Sequence, residues 1–319
     1  MSAQAVPGLE VARVEDDRGL EAMIAVRAAA DPDRPPPRIA NLRHHLATID
    51  DLVYLVAWRD GEPVGCGFLH PWPPEHAEAH LVVIPSARGC GIGSALFADV
   101  SARALAAGKR ELEGEVREND FESRAFFERR GYRVVGGEQA VALDLTEIDL
   151  PELSLPSGIR IAPRSELPEL LEQLYEIAAE AVEDIPGNAG RPTFEQWRSI
   201  EIDRPTRPPE LFFVAMAGDE PVGYATLDDF GRDAHHGLTT TRRAWRRRGI
   251  ATALKQTQIA AARRAGFRRL VTGNEERNTP IRNLNAKLGY RPEPSLSTVV
   301  LRGPVVDVYG QTASRDGQS

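Results

Sequence analysis

The 319-residue sequence predicts an α/β (α+β) protein of two tandem domains of similar plan, each a central sheet flanked by helices. Three observations carry that expectation. Apolar alternation and turn residues place short strands among amphipathic helices in both halves. The halves repeat one another at a constant offset. A glycine-bearing loop links a strand to a helix at the same place in each repeat.

The first half reads in order as follows. Leu9 to Val14 suits a strand, and Asp16 or Asp17 can cap a helix whose apolar face includes Leu20, Met23, Ile24 and Ala28. Pro32 and Pro35-Pro36-Pro37 end that helix, and a second short one is expected from about Arg38 to Ile49. Leu52 to Trp58, the Asp60-Gly61 turn and Val64 to Leu69 form a hairpin signal. The apolar run ending at Val83-Ile84-Pro85 is a strand, Arg88 to Gly93 a tight loop, and Ile92, Leu96, Phe97 and Val100 the buried face of a helix. A strand near Glu111 to Val116 and a helix near Glu122 to Arg129 follow, with Gly131 as C-cap. Tyr132 to Val135 and Gln139 to Leu145 read as a final pair of strands.

The second half repeats this order. Glu62-Pro63-Val64-Gly65 returns as Glu220-Pro221-Val222-Gly223, Arg88 as Arg246, Gly91 as Gly249, and Gly131-Tyr132 as Gly289-Tyr290, each shifted by 158 residues. A period this long means duplicated domains, not a solenoid of short repeats. The Pro-bearing stretch from Thr146 to Ser157 sets the expected boundary, giving domains at 1–150 and 151–310 and a flexible tail at 311–319.

Composition narrows the function classes. A net charge of −8 argues against a general polyanion binder, although Arg242, Arg243, Arg246, Arg247 and Arg248 make one dense basic patch. No recognition-helix pattern or aromatic interleaving accompanies the patch, so no nucleic acid is expected. The two cysteines, Cys66 and Cys90, lack metal-ligand spacing and suggest neither a disulfide framework nor a metal site. A reducing cytoplasm is the expected location. No signal-peptide layout and no bilayer-length apolar run point to a membrane.

The chemistry lies in the loop Arg88-Gly89-Cys90-Gly91-Ile92-Gly93 and its echo Arg246-Arg247-Arg248-Gly249-Ile250-Ala251. Backbone N–H groups converging at a helix start, with the positive end of the helix dipole behind them, suit an anion such as a diphosphate. A dinucleotide fingerprint would need a third glycine where Ser94 stands, and a P-loop would need Gly-Lys-Ser/Thr. Neither is present. A purely structural turn is the plain alternative.

The pattern Arg-x-x-Gly-x-Gly/Ala after a strand end resembles the acetyl-CoA loop of the GNAT superfamily of N-acetyltransferases. Ser123 to Tyr132 and Asn278 to Tyr290 resemble that family's closing helix. The resemblance implies a tandem form in which each domain has a mixed, mostly antiparallel central sheet. It also implies acetyl-CoA (or another acyl-CoA) as cofactor and a small-molecule amine as acceptor, in a monomer or homodimer. Val83, Arg88, Gly89, Cys90, Gly91, Ile92, Gly93 and Ser94 would hold the pantetheine and pyrophosphate in the first domain. Thr241, Arg246, Arg247, Arg248, Gly249, Ile250, Ala251 and Thr252 would do so in the second, with Asn119 and Asn278 near the cofactor arm.

In this family the amine attacks the thioester directly, and a tyrosine of the closing helix usually serves as acid. Phe127 stands at that position in the first domain and Asn285 in the second. Neither can donate a phenolic proton, but Asn285 can still hydrogen-bond. For the base, the second domain offers His236 and Glu276, with His235, Asp228, Asp229 and Glu275 as alternatives; the first offers Glu78 and His80. Tyr224 is either a lining residue of the acceptor cleft or a packed aromatic. The acceptor loops, Asp31 to Pro37 and Asp184 to Pro192, differ completely between the halves. The second domain is therefore the expected catalyst. The missing tyrosine in both halves motivates the rival reading, a non-catalytic acetyl-CoA-binding or regulatory protein.

Overall fold

A computed structural model describes residues 6–32, 34–150, 152–183, 190–275 and 279–306, with only the backbone of Glu275. The chain divides into two compact units, Met1–Gly137 with Thr298–Ser319, and Glu138–Ser297.

The first unit begins with β1 (Leu9–Arg13), α1 (Asp17–Ala30) and α2 (Ile39–Thr48). Asp16 caps α1 by accepting the Gly19 N–H at 2.9 Å. Next come β2 (Val53–Arg59) and β3 (Glu62–His70), joined at Asp60 and Gly61, whose φ values of 53° and 86° suit a two-residue hairpin turn. β4 (Ala77–Val83), α3 (Ile92–Ala106), β5 (Glu111–Arg117) and α4 (Phe121–Glu128) follow. The sheet runs β1-β2-β3-β4-β5, antiparallel except between β4 and β5. One face packs on α3 around Leu55, Leu96, Val100 and Leu112; the other packs on α1 and α2 around Met23, Val26, Leu42 and Cys66.

Where two final strands were expected, a single strand, β6 (Arg133–Asp144), runs straight through Gly136-Gly137. Gly137 answers to space, not to a turn: a Cβ there would lie 2.7 Å from the Thr298 carbonyl oxygen. The second half of β6 then belongs to the second unit.

That unit continues with β7 (Ile159–Pro163), α5 (Leu171–Val182), α6 (Phe194–Trp197), β8 (Phe212–Ala217), β9 (Glu220–Asp229) and β10 (Asp233–Thr241). It is completed by α7 (Ile250–Arg264), β11 (Arg269–Glu275), α8 (Thr279–Lys287) and β12 (Arg291–Pro292). Its sheet runs β6-β11-β10-β9-β8-β7, antiparallel except between β10 and β11, with β12 also on β6. Leu174, Ile177, Trp197 and Phe212 fill one face; Leu254, Ile259, Leu270 and Ile250 serve the α7 face.

The last strand, β13 (Thr298–Pro304), pairs with β5 in the first unit, from Thr298↔Arg117 to Pro304↔Glu111. Each unit thus completes its sheet with a strand from the other half of the sequence. The units differ in consequence from the expected 1–150 and 151–310. Proline content marks Thr146 to Ser157 as a connector, but pairing partners lie beyond the reach of local sequence signals. Among the described residues, no helix is long and apolar enough to cross a membrane.

Candidate active site

The two glycine loops have one backbone shape. Gly91 and Gly249 are the N-caps of α3 and α7, each with φ 84°, and the residues two places earlier, Gly89 and Arg247, also take positive φ, 74° and 61°. Neither helix has a side-chain cap. The helical ladders start where Ala95 and Ala253 donate to the Gly91 and Gly249 carbonyls, both at 3.0 Å. The amides of Ile92, Gly93 and Ser94, and of Ile250, Ala251 and Thr252, therefore have no intrahelical acceptor and face the loop with the positive end of the dipole. Arg88 donates through Nε to the Val83 carbonyl at 3.4 Å, and Arg246 does the same to the Thr241 carbonyl at 3.1 Å. Both loops thus present free amides at a helix start, the backbone geometry that favours an anion.

The flanking charge differs. In the second unit Arg242 pairs with Glu180 and Glu220, and Arg243 pairs with Glu183 at 3.1 Å while its amide donates to Glu180. Arg246, Arg247 and Arg248 are exposed, with Arg248 stacked 4.7 Å from the Trp245 ring centroid. In the first unit the exposed Arg88 is the one arginine of the loop, facing Asp120 and Glu122 at 3.8 and 3.9 Å. Cys90 is exposed beside it as a free thiol.

Beneath each loop the sheet opens. β4 and β5 pair only at Ala77↔Leu112 and Glu78↔Glu113, and β10 and β11 only from Asp233↔Arg269 to His235↔Val271. Past these points the parallel neighbours part, and β10 also slips register against β9 between His236 and Thr239.

What fills the gap separates the units. In the first, Phe97, Phe127 and Tyr132 line a void of about 10 Å³ with Ala79, Leu81 and Val100, room for a single water at most. Phe97 meets Phe127 at 6.3 Å and Tyr132 at 5.9 Å, and Phe126 meets Phe127 at 5.2 Å, all edge to face. Arg130 closes over this cluster, 3.6 Å from the Phe126 ring centroid, and donates to Ser94 Oγ at 2.9 Å.

In the second unit the residues 158 places on from Phe97, Val100, Val116 and Phe127 are Lys255, Gln258, Asn274 and Asn285. All four are buried. Asn285 Nδ2 donates to Asn274 Oδ1 at 3.3 Å, which leaves Asn285 Oδ1 and Asn274 Nδ2 without partners. Thr239 Oγ1 and Thr241 Oγ1, on the parting strand, are also buried and unpartnered. Such groups cost about 1–3 kcal/mol each unless a ligand or water satisfies them.

His236 Nδ1 lies 3.1 Å from Gln258 Oε1 and Nε2 lies 2.5 Å from the Tyr290 hydroxyl. Gln258 uses its amide nitrogen to donate to the Thr226 carbonyl at 2.9 Å, so its oxygen accepts and His236 carries its proton on Nδ1. Nε2 then accepts from Tyr290. Burial first, and then the Lys255 charge, push the His236 pKa well below its usual range. Both ring nitrogens are committed in a neutral imidazole.

The other sequence-derived candidates distribute as follows. Glu276 and Asn278 lie outside the described residues. Asn119 is exposed in the turn after β5. Asp228 is buried against Arg207 at 2.6 Å and Thr206 at 3.0 Å, a structural pairing, and Asp229 accepts the Gly231 amide at 2.7 Å. His235 packs edge to face on Phe230 at 4.7 Å. Tyr224 is fully buried against Phe212, a packed aromatic, with its hydroxyl unpartnered. In the first unit, burial and then Arg27, Arg34 and Arg117 push His80 down to about 3, and burial followed by Glu113 and Glu115 raises Glu78 to about 6. Lys255, Gln258, Asn274 and Tyr290 were not candidates from the sequence. Aligning the repeats through α3 and α7 would have exposed the first two, because a lysine and a glutamine replace Phe97 and Val100 on a buried face.

Each unit thus has a parting parallel strand pair beneath a glycine-capped helix. A sequence profile of the Acetyltransferase (GNAT) family matches residues 20–132 and 171–290, and the chain belongs to that family. Among curated proteins none matches. Among solved structures, the chain resembles a tandem GNAT protein from the clavulanic acid biosynthesis pathway, at 22% identity and TM-score 0.76, covering 93% of this chain and 99% of that one. It also resembles a GCN5-related N-acetyltransferase from Sphaerobacter thermophilus, at 23% identity and TM-score 0.71, covering 94% and 96%. At these identities the likeness is one of fold.

Proposed function

We propose that the protein moves an acetyl group from acetyl-CoA to the amine of a small molecule by direct attack in a ternary complex, with the chemistry in the second unit. The observation behind this reading is the contrast between two copies of one gap. The first is plugged by Phe97, Phe127 and Tyr132; the second is lined by buried polar atoms that lack partners. A chain of amides and a thioester carbonyl offers the donors and acceptors those atoms need.

In this reading the amides of Ile250, Ala251 and Thr252 and the exposed Arg246, Arg247 and Arg248 take the cofactor phosphates. Thr241 and Thr239 line the path of the arm, and Asn278 is a further cofactor contact by its place in the sequence pattern. Asn285 orients the thioester from α8. His236, committed on both nitrogens, holds Tyr290 and Gln258 in place in preference to acting as base, which leaves the role of base to Glu276, the other candidate read from the sequence. The bound acyl-CoA supplies the activated carbonyl; the protein supplies binding, orientation and shelter from water. The first unit binds CoA weakly or serves as a structural partner. We place the protein in the cytoplasm, as a monomer or homodimer, where the free thiols Cys66 and Cys90 stay reduced.

The test is release of free thiol from acetyl-CoA across a panel of small amines. Acceptor-dependent release supports transfer, whereas tight CoA binding without it supports the non-catalytic reading.

A further inference from the structure

Lys255 is the one lysine of α7, and it is 1% exposed, on the buried face of the helix. It has no hydrogen bond or ion pair among the described residues. Its Nζ lies 5.7 Å from the Tyr290 ring centroid. The repeat fixes its surroundings: the counterparts of Lys255 and Asn285, Phe97 and Phe127, line the same void in the first unit with ring centroids 6.3 Å apart. The lysine and the asparagine therefore look into one gap. Asn285 occupies the position where the family's acid is expected, and an amide cannot give up a proton at neutral pH.

We infer that Lys255 protonates the departing CoA sulfur in the second unit, acting from α7 where a tyrosine would act from α8. This rests on the acyl-transfer reading above. In the step, the acceptor nitrogen forms its bond to the acyl carbon while the carbon–sulfur bond breaks and its electron pair passes to sulfur. Lys255 gives one proton to that sulfur, yielding free thiol and a neutral amine. The proton lost by the acceptor nitrogen to solvent restores the ammonium. No other reactant is needed.

The surroundings of Lys255 give it the required acidity. Burial pushes it down from 10.5 to about 7. The titratable groups facing it among the described residues are His236 on β10 and Tyr290 after α8, both neutral, and no carboxylate holds its proton in place. An ordinary lysine, with pKa about 10.4, is a weaker acid than a thiol at about 8.5, so its proton would pass to the departing thiolate only uphill. At about 7 Lys255 is the stronger acid, and it is half charged near neutral pH, where general acids work best.

The experiment compares CoA with desulfo-CoA by calorimetry at pH 8 on the full-length wild type, Lys255→Met and Lys255→Arg. Wild type should bind CoA roughly 10-fold more tightly than desulfo-CoA, because at this pH the thiol can donate a hydrogen bond to the largely unprotonated amine of Lys255. Lys255→Met should bind the two equally. In turnover, Lys255→Met should lose roughly 10²-fold in kcat, without rescue by Lys255→Arg, whose guanidinium keeps its proton. A sulfur preference that survives Lys255→Met overturns the assignment, as does rescue by arginine, or acetylation of Lys255 itself by acetyl-CoA. Absence of CoA binding in every variant overturns the acyl-transfer reading, and this assignment with it. Cooperative melting of Lys255→Met at or above the wild-type midpoint in the absence of ligand excludes misfolding as the cause.

Discussion

Replacing Gly249 with valine perturbs the second loop in a way the backbone makes calculable. Gly249 has φ 84°, and a side chain in left-handed backbone costs about 1–2 kcal/mol. Space adds little, because the nearest atom to an added Cβ is Pro156 Cγ at 3.6 Å, an ordinary contact. At about 2–4 °C per kcal/mol for a unit of this size, Tm should fall by roughly 2–8 °C, so the variant stays folded at assay temperature. Gly91→Val carries the same dihedral strain and a closer contact, with Val6 Cγ2 at 2.9 Å, so its loss of stability should be equal or larger. The functional outcomes should nevertheless diverge. Crowding the amides of Ile250 to Thr252 should abolish thiol release from acetyl-CoA, whereas Gly91→Val should leave it within about threefold of wild type at matched folded fraction. Loss of turnover in Gly91→Val with full turnover in Gly249→Val would refute the placement of chemistry in the second unit.

Three other perturbations have defined outcomes. Arg247 holds φ 61° where its counterpart is Gly89, so Arg247→Gly should stabilise the protein by about 1 kcal/mol in a denaturant melt while weakening CoA binding through loss of a cation. Lys255 binds fewer protons folded than unfolded between pH about 7 and its reference value of 10.5, so wild-type stability should climb with pH across that window by up to roughly 5 kcal/mol. Urea melts of Lys255→Met at pH 6, 8 and 10 should show an advantage over wild type that is largest at pH 6 and shrinks as pH rises; a constant difference would contradict the buried, uncompensated amine. Leu301→Ala should cost roughly 2–5 kcal/mol, and hydrogen exchange should speed up in β5 of the first unit and not in β11 of the second. Exchange confined to the second unit would contradict the crossing of β13.

Much of the fold was legible because the signals that set it are local. Asp16 caps α1, Asp60-Gly61 turns the first hairpin, and the Arg-x-x-Gly loops fall at the same point of both repeats. The exchange of β6 and β13 was not legible, since nothing within either segment specifies a partner strand more than about 120 residues away. Gly136-Gly137 misled for a related reason: the same pair suits a turn or the close passage of another backbone, and Thr298 selects the second. In the site, the loops and Asn285 were legible from spacing. Lys255 was hidden because a lysine following an arginine run reads as one more solvated charge, and its burial depends on helix phase. His236 was found, but its commitment to Gln258 and Tyr290 depends on residues 22 and 54 positions away.

The most direct measurement is a crystal structure of the full chain soaked with CoA. The pyrophosphate should sit on the amides of Ile250 to Thr252, with the arm between β10 and β11 and the sulfur beside Lys255 and Asn285. CoA held only by the loop from Arg88 to Ser94, with Phe97 and Phe127 displaced to admit it, would contradict the assignment of acyl transfer to the second unit.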